Sequence, residues 1–211
     1  MRIPSLLIAT ALLGSSAWAQ DEGSPYYLQF GLGAVSSEDA TGVPGGTVSF
    51  DPGFNSGLAI GRHFGLSERM VFDAELEAYY QYFTVDQGDF QNIPSAVNDD
   101  ARTFALMLNG ILEWKFTPQF SAYGGIGFGW AKEISYSAWD SGSLSISDTD
   151  APAFQGKLGL GYNLGGTYDM RIGYRFFKTD TLDIENLAPP FDTSELDVAQ
   201  HSLEIAFRWG L

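Results

Sequence analysis

The stretch TFALMLNGILEWKF (103–116) separates by parity into two chemically different faces. Phe104, Leu106, Leu108, Leu112, Trp114 and Phe116 fall on one side, and Thr103, Asn109, Glu113 and Lys115 on the other. A period of two is the signature of a β-strand, because successive side chains point to opposite faces of the pleat. The run also exceeds the roughly 9–11 residues that a tilted strand needs to cross the hydrocarbon of a bilayer.

The same alternation recurs along the chain. It is found at 26–35, 54–64, 70–83, 102–116, 119–132, 153–164, 167–178 and 197–211, which gives eight candidate strands. In the last of them Leu203, Ile205, Phe207, Trp209 and Leu211 oppose Ser202, Glu204, Ala206, Arg208 and Gly210. Parity does not say which face meets water. A soluble barrel of lipocalin type buries its apolar face, whereas a membrane barrel turns that face to lipid.

Three features favour the membrane. Small residues (Gly31, Gly33, Gly125, Gly127, Gly129, Gly159, Gly161 and Gly173) share the polar face, where a narrow interior needs them. Large rings, among them Phe54, Phe64, Tyr80, Tyr82, Trp114, Trp130 and Tyr168, lie on the apolar face near strand ends, where interfacial aromatic girdles belong. The connections alternate in length: those around 65–68, 117–118 and 165–166 are tight, while 36–53, 84–101, 133–152 and 179–196 are long and polar. Short periplasmic turns and longer outside loops have this rhythm, and an even strand number puts both termini in the periplasm.

The first residues fit export. Met1-Arg2 is a short basic start, Leu6 to Leu13 an apolar core, and Ala17-Trp18-Ala19 a small-residue cleavage motif, so residues 1–19 are expected to be a cleaved signal peptide and 20–211 a single barrel domain. Cysteine is absent, which excludes disulfides and thiolate metal sites. The formal net charge of -15 argues against nucleic acid as a partner, and most of the 26 acidic residues fall in the long connections.

The segments AYGGIGFGWA (122–131), GKLGLGY (156–162), DMRIGYRFF (169–177) and HSLEIAFRWGL (201–211) resemble the small outer-membrane barrels of Proteobacteria. That group is called porin-like or opacity-like and is related in architecture to the OmpA and OmpX barrels. The resemblance implies an all-β, eight-stranded antiparallel up-and-down transmembrane barrel in the bacterial outer membrane. It also implies a closing strand read by the barrel-assembly machinery through Leu203, Ile205, Phe207, Trp209 and Leu211, although such strands usually end in an aromatic residue and this one ends in Leu.

On the polar face Asp73, Glu75, Glu77, Glu113, Asp169 and Glu204 stand against Lys115, Lys157, Arg171, Arg175 and Arg208. Charges in so narrow a space must pair, because an isolated buried charge is costly. They are expected to form an ion-pair network that plugs the barrel, since eight strands leave an interior that side chains just fill. Arg102, Lys132 and Lys178 share the parity of the lipid-facing residues at the outer strand ends and are expected to form a rim that meets lipopolysaccharide.

No catalytic residue, metal or cofactor is expected. Glu75 and Glu77 already have a structural explanation on one charged face. His63 and His201 fall at opposite rims and share no metal. Some barrels of this size modify lipid A with His and Ser on the lipid-facing wall, but His201 and Ser202 are adjacent and point to opposite faces. The acidic loops, including Asp86, Asp140, Asp148 and Asp192, suit solvation better than calcium, and Leu187, Pro189, Pro190 and Phe191 offer an apolar surface for an unidentified ligand. The expected role is structural or interactive, with a lipid A-modifying enzyme second and a narrow solute pore third.

Overall fold

The computed structural model describes residues 24–38, 40–41, 47–89, 99–135, 149–179, 182–183, 195–196 and 199–211. Eight long strands account for most of them: β1 (Tyr26–Ser37), β2 (Gly53–Gly65), β3 (Met70–Asp89), β4 (Asp99–Lys115), β5 (Phe120–Ser135), β6 (Thr149–Gly165), β7 (Tyr168–Thr179) and β8 (Ala199–Gly210). Each pairs antiparallel with its chain neighbours, and β1 pairs with both β2 and β8, so the sheet closes. The closing seam runs from Tyr27 opposite Gly210 to Ser37 opposite Gln200. Closure satisfies every strand edge within the ring, which a bilayer core demands.

The apolar parity faces outward. Phe128 is 60% exposed, Leu158 58%, Leu160 60% and Leu203 69%, within a belt that also includes Leu32, Leu58, Leu106, Ile172 and Ile205. So continuous an apolar exterior is foreign to a soluble monomer, and it sets aside the lipocalin-type alternative. The inner face is polar toward the short turns. Toward the long connections it becomes a packed apolar layer of Tyr79, Ala105, Met107, Ala131, Ala153 and Phe177.

The three short turns are each tied by one polar side chain. Ser67 Oγ accepts from the Met70 amide at 3.1 Å, Thr117 Oγ1 from Phe120 at 2.9 Å, and Asn163 Oδ1 from Gly165 at 2.9 Å. Such side chains imitate a backbone turn and fix the strand reversal locally. The last turn also needs Gly165 and Gly166, whose φ angles of 104° and 65° disfavour other L-residues.

At the other end the strands outrun the alternation. β3 continues to Asp89, β5 to Ser135, and β6 begins at Thr149. Beyond the apolar belt these segments lose the period-two hydropathy signal, while the antiparallel pairing continues. Residues 1–19, which carry the expected signal peptide, lie outside the described residues, as do Leu187, Pro189, Pro190 and Phe191.

Candidate functional site

The lumen is built from one acidic wall and one basic wall. Alternation on β3 turns Asp73, Glu75 and Glu77 inward together, all buried. Across the ring, Lys157 of β6, Arg171 and Arg175 of β7 and Arg208 of β8 are also buried and inward. Arg208 reaches Asp73 at 2.7 Å and Glu75 at 3.1 Å, Lys157 reaches Glu77 at 2.7 Å, and Arg175 bridges Glu77 and Glu204, each at 2.7 Å. Arg171 pairs with Glu113 and lies 3.5 Å from Asp73.

Neutral groups complete the network. Glu77 Oε2 also accepts from Asn109 Nδ2 and Gln155 Nε2, both at 2.9 Å, and Tyr27 donates its hydroxyl to Glu75 at 2.8 Å. Three guanidinium groups lie over tyrosine rings: Arg208 on Tyr27 at 3.7 Å, Arg175 on Tyr79 at 4.1 Å, and Arg171 on Tyr123 at 4.7 Å. Glycines make room for those rings. A Cβ on Gly61 would stand 2.2 Å from Tyr27 Cζ, and one on Gly173 would stand 2.1 Å from the Tyr123 hydroxyl. Desolvated charges held this way are stabilised by mutual pairing and by the flat ring faces, so the network acts as a cross-brace.

Two residues assigned to the network by parity stand apart. Lys115, the last residue of β4, is exposed, and Asp169, near the start of β7, is half-buried and accepts from Asn163 Nδ2 at 3.0 Å. Both have the inward parity, but both lie at the mouth beside the short turns, away from the buried pairs. The connected set is Asp73, Glu75, Glu77, Glu113 and Glu204 with Lys157, Arg171, Arg175 and Arg208. His63 joins it through Nδ1, 2.6 Å from Asp73 Oδ1. His63, Asn109, Gln155 and the three tyrosines join the network without a sequence signal for their partners. Their parity is legible, but a partner depends on register around the whole ring.

The outer wall carries a second cluster at the long-connection end. His201 of β8 faces outward between Tyr174 and Phe176 of β7, its ring 5.9 Å and 5.5 Å from theirs. Its Nδ1 is hydrogen-bonded to the Tyr174 hydroxyl, and its Nε2 lies 3.0 Å from Glu38 Oε1. Ser202 turns inward and is buried, so the adjacent pair considered in the sequence does not form.

Arg102, Lys132 and Lys178 also lie on the outer parity at this end, on β4, β5 and β7. Arg102 sits over the Tyr82 ring at 5.7 Å. In the ladder Lys132 stands opposite Phe104, and Lys178 opposite Phe154, at the edge of the apolar belt. On β8 Leu203, Ile205 and Phe207 face out with Leu211 beyond them, and the Leu211 amide donates to Tyr26 O at 2.9 Å. Among the described residues no three His, Cys, Asp or Glu side chains are grouped to hold a metal ion.

The family model described as "outer membrane protein beta-barrel domain" matches residues 5–209. No curated protein matches the sequence. Among solved structures, the chain is similar to OprG from Pseudomonas aeruginosa, with a TM-score of 0.59 at 13% identity over 90% of this chain and 98% of that one. It is similar to Neisserial surface protein A, with a TM-score of 0.55 at 14% identity over 90% and 100%. It is also similar to AlkL, solved by solid-state NMR in lipid bilayers, with a TM-score of 0.51 at 16% identity over 94% and 95%. At these identities the likeness is one of fold.

Proposed function

The chain belongs to the outer membrane protein beta-barrel domain family, and from that premise we propose that it is a braced, plugged barrel whose role is structural and surface-interactive. The observation that carries this reading is the buried network joining β3 to β6, β7 and β8 across the lumen. A solute path would have to part paired, desolvated charges and then the apolar layer around Tyr79, Met107 and Phe177. Planar-bilayer recording tests it: the refolded full chain is expected to give no steady channel. A reproducible ohmic conductance would overturn the plug in favour of a narrow pore.

In this reading the chain is exported by a signal peptide cleaved after Ala19, and the short turns face the periplasm. The barrel-assembly machinery engages the outward residues of β8, from Leu203 to Leu211. The long acidic connections face the exterior, where an unidentified surface ligand would be met. Arg102, Lys132 and Lys178 contact lipopolysaccharide, an assignment supported by their position at the edge of the apolar belt.

A further inference from the structure

We propose that Glu38, His201 and Tyr174 form an acyl-ester hydrolysis site on the outer wall, at the boundary between lipid and water. This goes beyond the structural role and does not depend on whether the lumen conducts. The geometry is that of an activated nucleophile: a hydroxyl bonded to an imidazole, which is oriented by a carboxylate at 3.0 Å. With Nε2–H donated to Glu38, Nδ1 is left to accept the Tyr174 proton. The rings of Tyr174 and Phe176 flank the imidazole and fix its plane.

The relay is also ordered by depth. Glu38 lies just beyond β1 and is exposed, His201 stands opposite Ser36 and Phe176, and Tyr174 stands opposite Leu203, deeper in the apolar belt. The carboxylate therefore sits toward water, while the hydroxyl sits level with the first exposed apolar residues. Leu203 beside it and Ile205 and Ile172 below form an exposed apolar strip that suits an acyl chain, and Lys178 lies above on the same face of β7. The substrate class this fits is a fatty-acyl ester whose head group carries negative charge.

In the first step the Tyr174 oxygen bonds to the acyl carbon and the ester C–O bond breaks. The tyrosine proton passes to His201 Nδ1 and on to the departing alkoxide. In the second step water attacks the tyrosyl ester, its proton passes through His201 to the Tyr174 oxygen, and the fatty acid leaves. Tyr174 and His201 act on the substrate. Glu38 is a positioning residue, holding the imidazole in the productive tautomer.

The probe is p-nitrophenyl laurate in mixed micelles with the refolded full chain, and each variant is taken as folded barrel by its heat-modifiable gel migration. Wild type should release nitrophenol above micelles alone. Tyr174→Phe and His201→Gln should each lose about a hundredfold or more, the range of general acid–base and nucleophile removal. Glu38→Gln should lower kcat with KM unchanged, and Glu38→Asp should restore part of it. Mass spectrometry of the quenched enzyme should find a laurate adduct on the peptide containing Tyr174. Wild-type release no faster than micelles alone overturns the proposal, as does full activity in Tyr174→Phe. Loss in Ser36→Ala with the adduct on Ser36 overturns the assignment to Tyr174.

Discussion

Arg175 on β7 and Glu77 on β3 meet at 2.7 Å from opposite walls of the barrel, with both side chains almost wholly withdrawn from solvent. Glu77 is the point where most donors converge, because Asn109, Gln155 and Lys157 bind the same carboxylate. Removing it leaves Arg175 without one of its two carboxylates and Lys157 without its nearest. Glu77→Ala should therefore lower the unfolding free energy in lipid vesicles by about 3–5 kcal/mol, the cost of breaking a buried pair from one side. Guanidinium titration should show the midpoint falling with little change in slope. An unchanged midpoint would mean that the network does not brace the fold.

Space inside the ring is as specific as charge. Gly61 lies under the Tyr27 ring, whereas the outward-facing Gly156 has nothing within 4 Å of a built Cβ. Gly61→Val should cost about 1–3 kcal/mol by overpacking, and Tyr27 should lose its bond to Glu75 as the ring moves. Gly156→Val should fold with wild-type stability. Equal losses in both variants would show that backbone freedom, and not ring clearance, is what the glycines supply.

The eight strands were legible because parity on a barrel wall is set by lipid on one side and packing on the other. Their upper ends were not, since beyond the belt the sequence of β3 to β6 loses its two-residue alternation. The network was legible as a face: Asp73, Glu75 and Glu77 on one strand and Arg171 and Arg175 on another already imply two charged walls. Depth was not, which is why Lys115 and Asp169 were grouped with residues they do not meet. The Glu38–His201–Tyr174 relay was hidden for a related reason. It is a contact among three chain segments, and it forms only when register sets Tyr174 one step below His201.

Depth also sets the cost of charge on the outer wall. Leu158 is 58% exposed within β6, and Tyr168 is 60% exposed at the start of β7. Leu158→Arg should destabilise the vesicle-inserted barrel by about 2–4 kcal/mol, and Tyr168→Arg by about 0–1 kcal/mol, because the penalty fades toward the interface. Equilibrium unfolding of both variants in the same vesicles checks the difference. Equal costs would place Leu158 outside the hydrocarbon.

The outer cations test the partner more directly than the fold. Arg102, Lys132 and Lys178 come from three strands, and each has a contact within the protein, so none is held out as a bare charge. Their common feature is height: all sit where the apolar belt gives way to polar surface, and an anionic head group there would gain from all of them together. Exposed ion pairs contribute little singly and are screened by salt, whereas several cations converging on one polyanion add. Replacing all three with Gln should therefore leave the unfolding midpoint close to wild type while clearly reducing co-purified lipopolysaccharide, most of all at low salt, where the attraction is least screened. The Gln side chains retain much of the stem packing, so a change in lipid binding alone isolates charge. Unchanged lipopolysaccharide in the triple variant would show that the three side chains merely end their strands at the polar boundary.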